Sequence, residues 1–319
     1  MTATRLLIAA TLLIPAQVLA CSSCGCTLSP VWENQGMSTQ AGLRMDLRYD
    51  YVNQDQLRHG SGVASSADIA TALANGTAGE TEQYTENHYY TLGADYMLNR
   101  YWGVNLQLPY IDRDHSTLGA GDTDASSSHT QSPGDIKLIG RYQGFFPDAK
   151  TGMMLGLKLA IGKQDYNFSS GPMAGMPLDR SLQPGSGSTD LIVGAYHFDT
   201  LTPVVDWFAQ GLYQSAMSTQ NGYRPGDALN LNLGVRYTAF GNIMPQLQIN
   251  AQTRNSDSGI NADPTNTGGK LVYLSPGVTA IISDNVKIYS FIQLPVYQYV
   301  EGLQLAPRWN ASFGINFGL

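Results

Sequence analysis

The sequence predicts a transmembrane antiparallel β-barrel of about 12 strands, with short periplasmic turns and long extracellular loops. The first observation is strict two-residue alternation: along residues 307–319, apolar side chains occupy one face and polar side chains the other. A tilted strand of about 9–11 residues crosses a bilayer, whereas most strands have about 5–6 residues. The second observation is that 43% of residues are apolar and only 13% are charged, against roughly 25% charged in an average globular domain. No stretch after residue 20 reaches the roughly 18 uninterrupted apolar residues of a spanning helix.

Residues 1–20 have the pattern of a secretory signal peptide. Arg5 supplies the positive charge, residues 6–15 supply a short apolar run, and Val18-Leu19-Ala20 forms a cleavage site. The four residues that end at Cys21 also resemble a bacterial lipoprotein box, in which this cysteine would be acylated. Leu is the usual first residue of that box, and ordinary cleavage before the cysteine is the alternative.

Residues 21–40 are predicted to form a periplasmic segment that contains all the cysteines of the chain, Cys21, Cys24 and Cys26. Three thiols within six residues suit a soft metal such as Cu(I) or Zn²⁺. The oxidising periplasm instead favours a Cys21–Cys24 disulfide, and acylation would remove Cys21 from both arrangements. No His follows the CxxC pair, so covalent haem attachment is not indicated and no cofactor is predicted.

Residues 41–319 are predicted to form the barrel, because the two-residue period returns segment after segment. Clean alternation predicts seven strands, which lie at residues 43–51, 102–110, 153–161, 229–237, 247–254, 286–297 and 307–319. Weaker alternation predicts five more, which lie near residues 86–97, 134–145, 189–199, 203–215 and 270–282. Short gaps alternate with long polar gaps, as periplasmic turns alternate with extracellular loops in outer-membrane barrels. The longest predicted loops are 53–85, 113–133 and 164–188.

The inward faces of these strands collect charge. The predicted pore-lining residues are Arg44, Arg48, Lys137, Arg141, Lys158, Arg236, Arg254, Lys287, Arg308, Asp46 and Asp50. Buried charges are costly without water or partners, so the lumen contains either water or ion pairs that brace the wall. An excess of cations along an aqueous pore would favour anions. The sequence is compatible with both conduction and bracing.

The histidines do not predict an enzyme. Three of the five lie in predicted extracellular loops, and none has a Ser or an acidic residue aligned with it along a strand toward the lipid face. The formal net charge of −7 argues against nucleic acid as a partner. No catalytic residue is therefore predicted.

Two short motifs resemble a known family. Gln107-Leu-Pro-Tyr110 lies in the third predicted strand, and a related Gln-Leu-Pro motif begins the segment 293–305. Both motifs resemble sequences of the bacterial outer-membrane family named for the MetA pathway of phenol degradation. The resemblance implies a barrel that transports hydrophobic or aromatic compounds. Since proline lacks a backbone donor, Pro109 and Pro295 are also predicted to mark a break or bulge in strand pairing.

The sequence thus predicts an outer-membrane channel of porin type for small solutes. The family resemblance indicates hydrophobic or aromatic solutes, and the basic lumen indicates anions. The alternative is a non-conducting barrel whose cysteines bind a metal or dock a partner. In both cases the partners include outer-membrane lipid and the outer-membrane assembly machinery. The sequence does not distinguish whether loop 53–85 or loop 164–188 plugs the lumen.

Overall fold

A computed structural model describes residues 40–319 of the chain. The predictions made on residues 1–39, including the signal peptide and the three cysteines, lie outside the described residues. The described elements are β1 (Gly42–Gly60), β2 (Gly62–Val63), α1 (Ser66–Ala74), β3 (Glu80–Met97), β4 (Trp102–Gly119), β5 (Ser126–Pro133), β6 (Ile136–Tyr142), β7 (Thr151–Leu159), β8 (Asp190–Thr202), β9 (Val205–Ala216), β10 (Ala228–Tyr237), β11 (Ile243–Arg254), β12 (Gly269–Ser283) and β13 (Val286–Gly318). Within this part of the chain, no helix has the length and apolar character needed to cross a membrane.

The strands form a closed antiparallel barrel. Among residues 40–319, eleven strand elements make the wall, and antiparallel pairing of β1 with β13 closes it. β2 and β5 lie outside the wall: β2 pairs only with β1, and β5 pairs only with β4, beyond the stretch in which β4 pairs with β6. The predicted all-β barrel is therefore confirmed as a fold.

The wall contains eleven elements rather than about twelve because β13, with 33 residues, doubles back on itself. Residues 286–300 pair with β12, and residues 300–318 pair with β1. The amide of Gly318 donates to the carbonyl of Asn285 at 2.8 Å, so the two ends of β13 are adjacent. Gly302 lies near the reversal with φ of +62°, a conformation that glycine adopts readily. Two predicted strands and the short loop between them thus form one continuous element.

The outer face of the wall is apolar and the inner face is mostly polar. On β10, Leu231, Leu233 and Val235 are 40–49% exposed, whereas Asn232 between them is buried. We call the outward apolar surface the apolar belt. It is carried by residues 43–51, 90–97, 102–110, 137–142, 153–161, 191–201, 205–213, 229–237, 243–251, 272–282, 286–296 and 309–319.

Strands β1, β3, β4 and β5 continue beyond the apolar belt at the end of the barrel that we call the upper end. The prediction that residues 53–85 and 113–133 form loops is wrong in this respect, since strand pairing continues through much of both ranges. The apolar outward pattern stops there, but the backbone ladder does not. Strand pairing satisfies the backbone groups wherever the neighbouring strand also continues, so the end of the apolar alternation did not mark the end of the strands.

The two prolines of the sequence motifs lie where pairing changes. Pro109 pairs with Thr91 on the β3 side, while on its other side β4 passes from β6 to β5. Near Pro295 the register between β12 and β13 shifts, so that Val296 is the unpaired extra residue. A missing backbone donor is tolerated at such breaks because no ladder hydrogen bond is required there.

Candidate functional site

The candidate functional site is a cavity of about 440 Å³ inside the barrel. Its walls come from the inward faces of the strands and from an irregular segment, residues 160–189, that follows β7. Seven basic side chains line it, namely Arg48, Arg113, Lys137, Arg141, Lys158, Arg180 and Arg254. Three acidic side chains line it, namely Asp50, Asp135 and Asp190. The lining therefore carries an excess of positive charge.

Some of the predicted pore-lining residues lie at this cavity and others do not. Those that line it are Arg48, Asp50, Lys137, Arg141, Lys158 and Arg254. Arg44 donates to the carbonyl of Gln40 at 3.2 Å near the lower end of β1. Asp46 accepts a hydrogen bond from the Tyr289 hydroxyl at 3.1 Å. Arg236 and Lys287 belong to the lower wall, and neither lines the cavity.

Arg308 corrects the prediction most clearly, because it lies on the outside. The pairing register shifts so that Trp309 pairs with Asn53 and Pro307 pairs with Gln54, which leaves Arg308 as the extra residue of a β-bulge. Its side chain is 61% exposed and forms an ion pair with Asp55 at 3.2 Å. A bulge shifts the alternation of faces by one residue, so the two-residue period assigned Arg308 to the wrong face.

Most basic residues of the cavity wall are held in ion pairs. Arg141 Nη2 donates to Asp95 Oδ1 at 2.7 Å, and both side chains are 1% exposed. Lys158 Nζ lies 2.7 Å from the Asp190 carboxylate and 3.5 Å from that of Asp135. Such pairs cross from one strand to another and brace the wall. Their charges are largely compensated, so they contribute little net field at the cavity.

Lys137 differs from these basic residues. It lies on β6 and pairs across the sheet with Lys158 on β7 and Gln107 on β4. Within residues 40–319, Lys137 makes no hydrogen bond and no ion pair within 4 Å. Its ammonium group therefore has no directly bonded acidic partner among these residues, although the carboxylates of Asp190 and Asp135 interact with it electrostatically.

Residues 160–189 fold into the lumen, and we call this segment the inward loop. At its neck, a Cβ at Gly185 would lie 2.2 Å from the carbonyl oxygen of Gly162, so only glycine allows the two backbones to approach so closely. The Asp135 carboxylate accepts the amide of Gly162 at 3.0 Å and the amide of Ser186 at 2.9 Å. One side chain thus holds both ends of the loop.

The middle of the inward loop is held by Arg113. Its guanidinium donates to the carbonyl of Leu182 at 2.6 Å and to that of Ser181 at 3.2 Å. The Leu182 side chain is fully buried, packed with Phe168 and Leu178 of the same loop. These contacts fix the loop over the cavity. Segment 53–85 does not line the cavity, and α1 within it has no buried residue.

The floor of the cavity is apolar. Ile139, Met154 and Leu212 line it and belong to a cluster packed around the fully buried ring of Phe208. This ring lies over Gly234 on the paired strand, where an added Cβ would meet it at 2.1 Å. The cavity therefore combines basic walls with an apolar base.

Sequence reasoning missed two basic residues of the lining. Arg113 continues the inward alternation of Gln107, Pro109 and Ile111 beyond the predicted end of the strand, so extending the period would have found it. Arg180 lies on the inward loop, where it donates to Gln164 and lies over the ring of Tyr223. No local pattern signals that position.

Comparison with known proteins gives a shared fold rather than a family. No protein-family model matches the chain, and no curated protein sequence does either. The crystal structure of the COG4313 outer membrane channel from Pseudomonas putida F1 is similar, with a TM-score of 0.64, 11% identity, and coverage of 89% of this chain and 97% of that one.

Two further solved structures resemble the chain more loosely. They are the NanC porin (TM-score 0.47, 10% identity, 86% of this chain and 100% of that one) and the Ralstonia pickettii toluene transporter TbuX (TM-score 0.44, 11% identity, 88% and 90%). At these scores neither structure carries an argument. The chain shares its closed antiparallel β-barrel fold with the COG4313 channel. None of these structures is described as a member of the MetA-pathway family, so that finer resemblance stays a prediction.

Proposed function

We propose that the chain is an outer-membrane channel for small organic anions that also carry an apolar group. The observation that carries the proposal is the cavity lining, in which Lys137 stands free of hydrogen bonds and ion pairs beside an apolar floor. Ligand sites commonly combine a mainly apolar lining with a few placed polar groups. An anionic headgroup would lie near the basic wall, and an aromatic or aliphatic group would cover Ile139 and Met154.

The apolar belt supports insertion in a membrane. In a closed barrel every backbone group of the wall is paired between strands, so no sheet edge faces lipid. The outward Leu, Val and aromatic side chains supply the apolar band that outer-membrane barrels require. In this proposal residues 1–20 direct secretion, residues 21–40 lie in the periplasm, and residues 41–319 contact outer-membrane lipid after insertion by the assembly machinery.

One solute class accommodates both indications from the sequence. The family resemblance indicates aromatic or hydrophobic compounds, and the basic lumen indicates anions. An aromatic carboxylate or sulfonate has both properties. A charged oxygen near an ammonium or guanidinium group forms a charge-assisted hydrogen bond, which is roughly twice as strong as a neutral one.

A permeation assay with Lys137→Gln tests this proposal. Liposomes containing the refolded chain are expected to take up benzenesulfonate several-fold faster than phenyltrimethylammonium, a cation of similar size. The substitution removes a cation that makes no direct ion pair within residues 40–319, so benzenesulfonate uptake should fall at least by half. Osmotic swelling rates, corrected for liposomes without protein, provide the measurement.

The matched control is Lys150→Gln. Lys150 is also a lysine of the barrel, but it is paired with Asp199 and does not line the cavity. Its substitution should leave both uptake rates unchanged. Equal uptake of the anion and the cation by the unmodified chain would overturn the proposed selectivity.

A second candidate function is a barrel that does not conduct. The inward loop and the buried ion pair of Arg141 with Asp95 favour it, because both fill the lumen. Swelling no faster than that of empty liposomes, with every solute, would support this candidate. Binding of a metal or a partner by Cys21, Cys24 and Cys26 would then become the leading proposal.

A further inference from the structure

A group of buried acidic side chains lies above the apolar belt, apart from the cavity. Glu80 and Glu82 lie on the upper part of β3, and His115 lies on the paired part of β4. Asp179 reaches the group from the inward loop, where it interacts electrostatically with both glutamates. All four side chains belong to residues at most 3% exposed. None of them lines the cavity.

Six of the eight side-chain polar atoms of this group make no hydrogen bond within residues 40–319. Both carboxylate oxygens of Glu80, both of Asp179, Oε1 of Glu82 and Nε2 of His115 are buried and make no hydrogen bond. The Thr117 hydroxyl lies close enough to Glu80 to favour its charged form, but it does not complete a hydrogen bond. Buried polar groups are nearly always hydrogen-bonded, so six unpaired atoms in one place require an explanation.

Three of these side chains converge. One ligand atom from each of Glu80, Glu82 and His115 lies within 4.8 Å of the other two. His115 Nδ1 is 2.8 Å from the Thr85 hydroxyl. With its proton on Nδ1, the ring presents the lone pair of Nε2, which a metal ion requires.

Without a cation the charges of this group are poorly compensated. Arg113 is the basic group nearby, and its guanidinium is engaged by the carbonyls of the inward loop. Buried carboxylates are retained when they are paired or when they coordinate a metal.

We propose that Glu80, Glu82 and His115 bind a divalent transition-metal ion of the Zn²⁺ type, which also attracts the nearby carboxylate of Asp179 on the inward loop. One imidazole and several carboxylates suit Zn²⁺ or Mn²⁺. Ca²⁺ and Mg²⁺ prefer oxygen ligands alone. The ion would join β3 and β4 to the inward loop, so it would hold the loop in place over the lumen. This inference does not depend on the solute or on conduction.

A second group of metal-binding side chains serves as a control. Asp112, Asp114 and His129 also bring ligand atoms within 4.8 Å of one another. They are partly exposed, and His129 is already paired with Asp114 at 2.9 Å. No unpaired buried atom points into this group, so we do not assign a metal to it.

The test measures zinc bound by the refolded, untagged mature chain in which Cys21, Cys24 and Cys26 are replaced by Ser. This background removes the thiols as competing ligands. After treatment with EDTA and dialysis against Zn²⁺, elemental analysis should give one zinc per chain. Titration calorimetry should show binding of Zn²⁺ far tighter than that of Ca²⁺. A folded chain that binds no zinc would overturn the proposal.

Substitutions in the two groups locate the ion. Glu82→Gln and His115→Gln should each weaken zinc binding at least tenfold, and Asp179→Asn should weaken it less. His129→Gln, in the control group, should bind zinc as the parent does. The reverse pattern, with binding lost only in His129→Gln, would contradict the assignment. Heat-dependent migration on a gel verifies that each variant is folded.

A measurement on the cysteine-free parent keeps the inference testable if a variant does not fold. Cu²⁺ or Co²⁺ bound in place of zinc should show magnetic coupling to the nitrogen of a single imidazole. Coupling to no nitrogen, or to two imidazoles, would overturn the proposed ligand set.

Discussion

Excision of the inward loop is expected to raise the single-channel conductance several-fold. The loop lies over the cavity, and its removal leaves a lumen limited by the wall alone. The amide of Gly185 already donates to the carbonyl of Lys163 at 2.8 Å. After the excision, the same hydrogen bond would close a hairpin with a two-residue turn between Lys163 and Gly185. Residues 164–184 can therefore be replaced by Asn-Gly, the preferred sequence for such a turn. Planar-bilayer recordings of the refolded chain provide the measurement.

Excision of α1 is the matched control for this experiment. Residues 66–74 also lie at the upper end of the barrel, but α1 has no buried residue and does not line the cavity. Its removal should leave the conductance unchanged. If the chain without its inward loop conducted no better than the parent, the constriction would have to lie in the wall itself, and the role assigned to the loop would be wrong.

The largest effect on stability is expected for Arg141→Met. The substitution leaves the carboxylate of Asp95 buried without its cation, and breaking a buried pair in this way typically costs about 3–5 kcal/mol. Asn105 Nδ2, at 3.3 Å from this carboxylate, is a weak replacement because it carries no charge. The measurement is the midpoint of urea-induced unfolding in lipid vesicles.

Two further variants isolate the cause. Adding Asp95→Leu to Arg141→Met removes both charges and should restore most of the lost stability, as when apolar residues replace a buried pair. Arg48→Met breaks the pair with Asp50 at a position where the arginine is 21% exposed, so its cost should be smaller. Equal losses for Arg141→Met and Arg48→Met would show that burial of the pair does not set its importance.

The wall of the barrel could be predicted from the sequence because its determinant is local. Lipid-facing side chains must be apolar and lumen-facing ones need not be. The two-residue period of each strand therefore shows which of its residues face the lipid. Leu231, Asn232 and Leu233 show this directly. The prediction fails for Arg308, because a bulge adds one residue without changing the composition of the strand.

The inward loop and the acidic group could not be predicted in the same way. The loop is positioned by Asp135 and Arg113, which lie far from it in sequence. Glu82 meets His115 only through the register of β3 with β4, in a stretch where the apolar period has already ended. Contacts of this kind have no periodic signature, so they become visible only once the chain is folded.

The most direct test of the proposed function is the reversal potential of single channels across a KCl gradient. The refolded mature chain should open steadily, and its reversal potential should lie toward that of chloride, because Lys137 and the other basic residues of the lining outnumber the acidic ones. Lys137→Gln should move the potential toward zero. A chain that opens with a preference for potassium, or one that is folded by gel migration and gives no openings, would contradict the account of an anion channel.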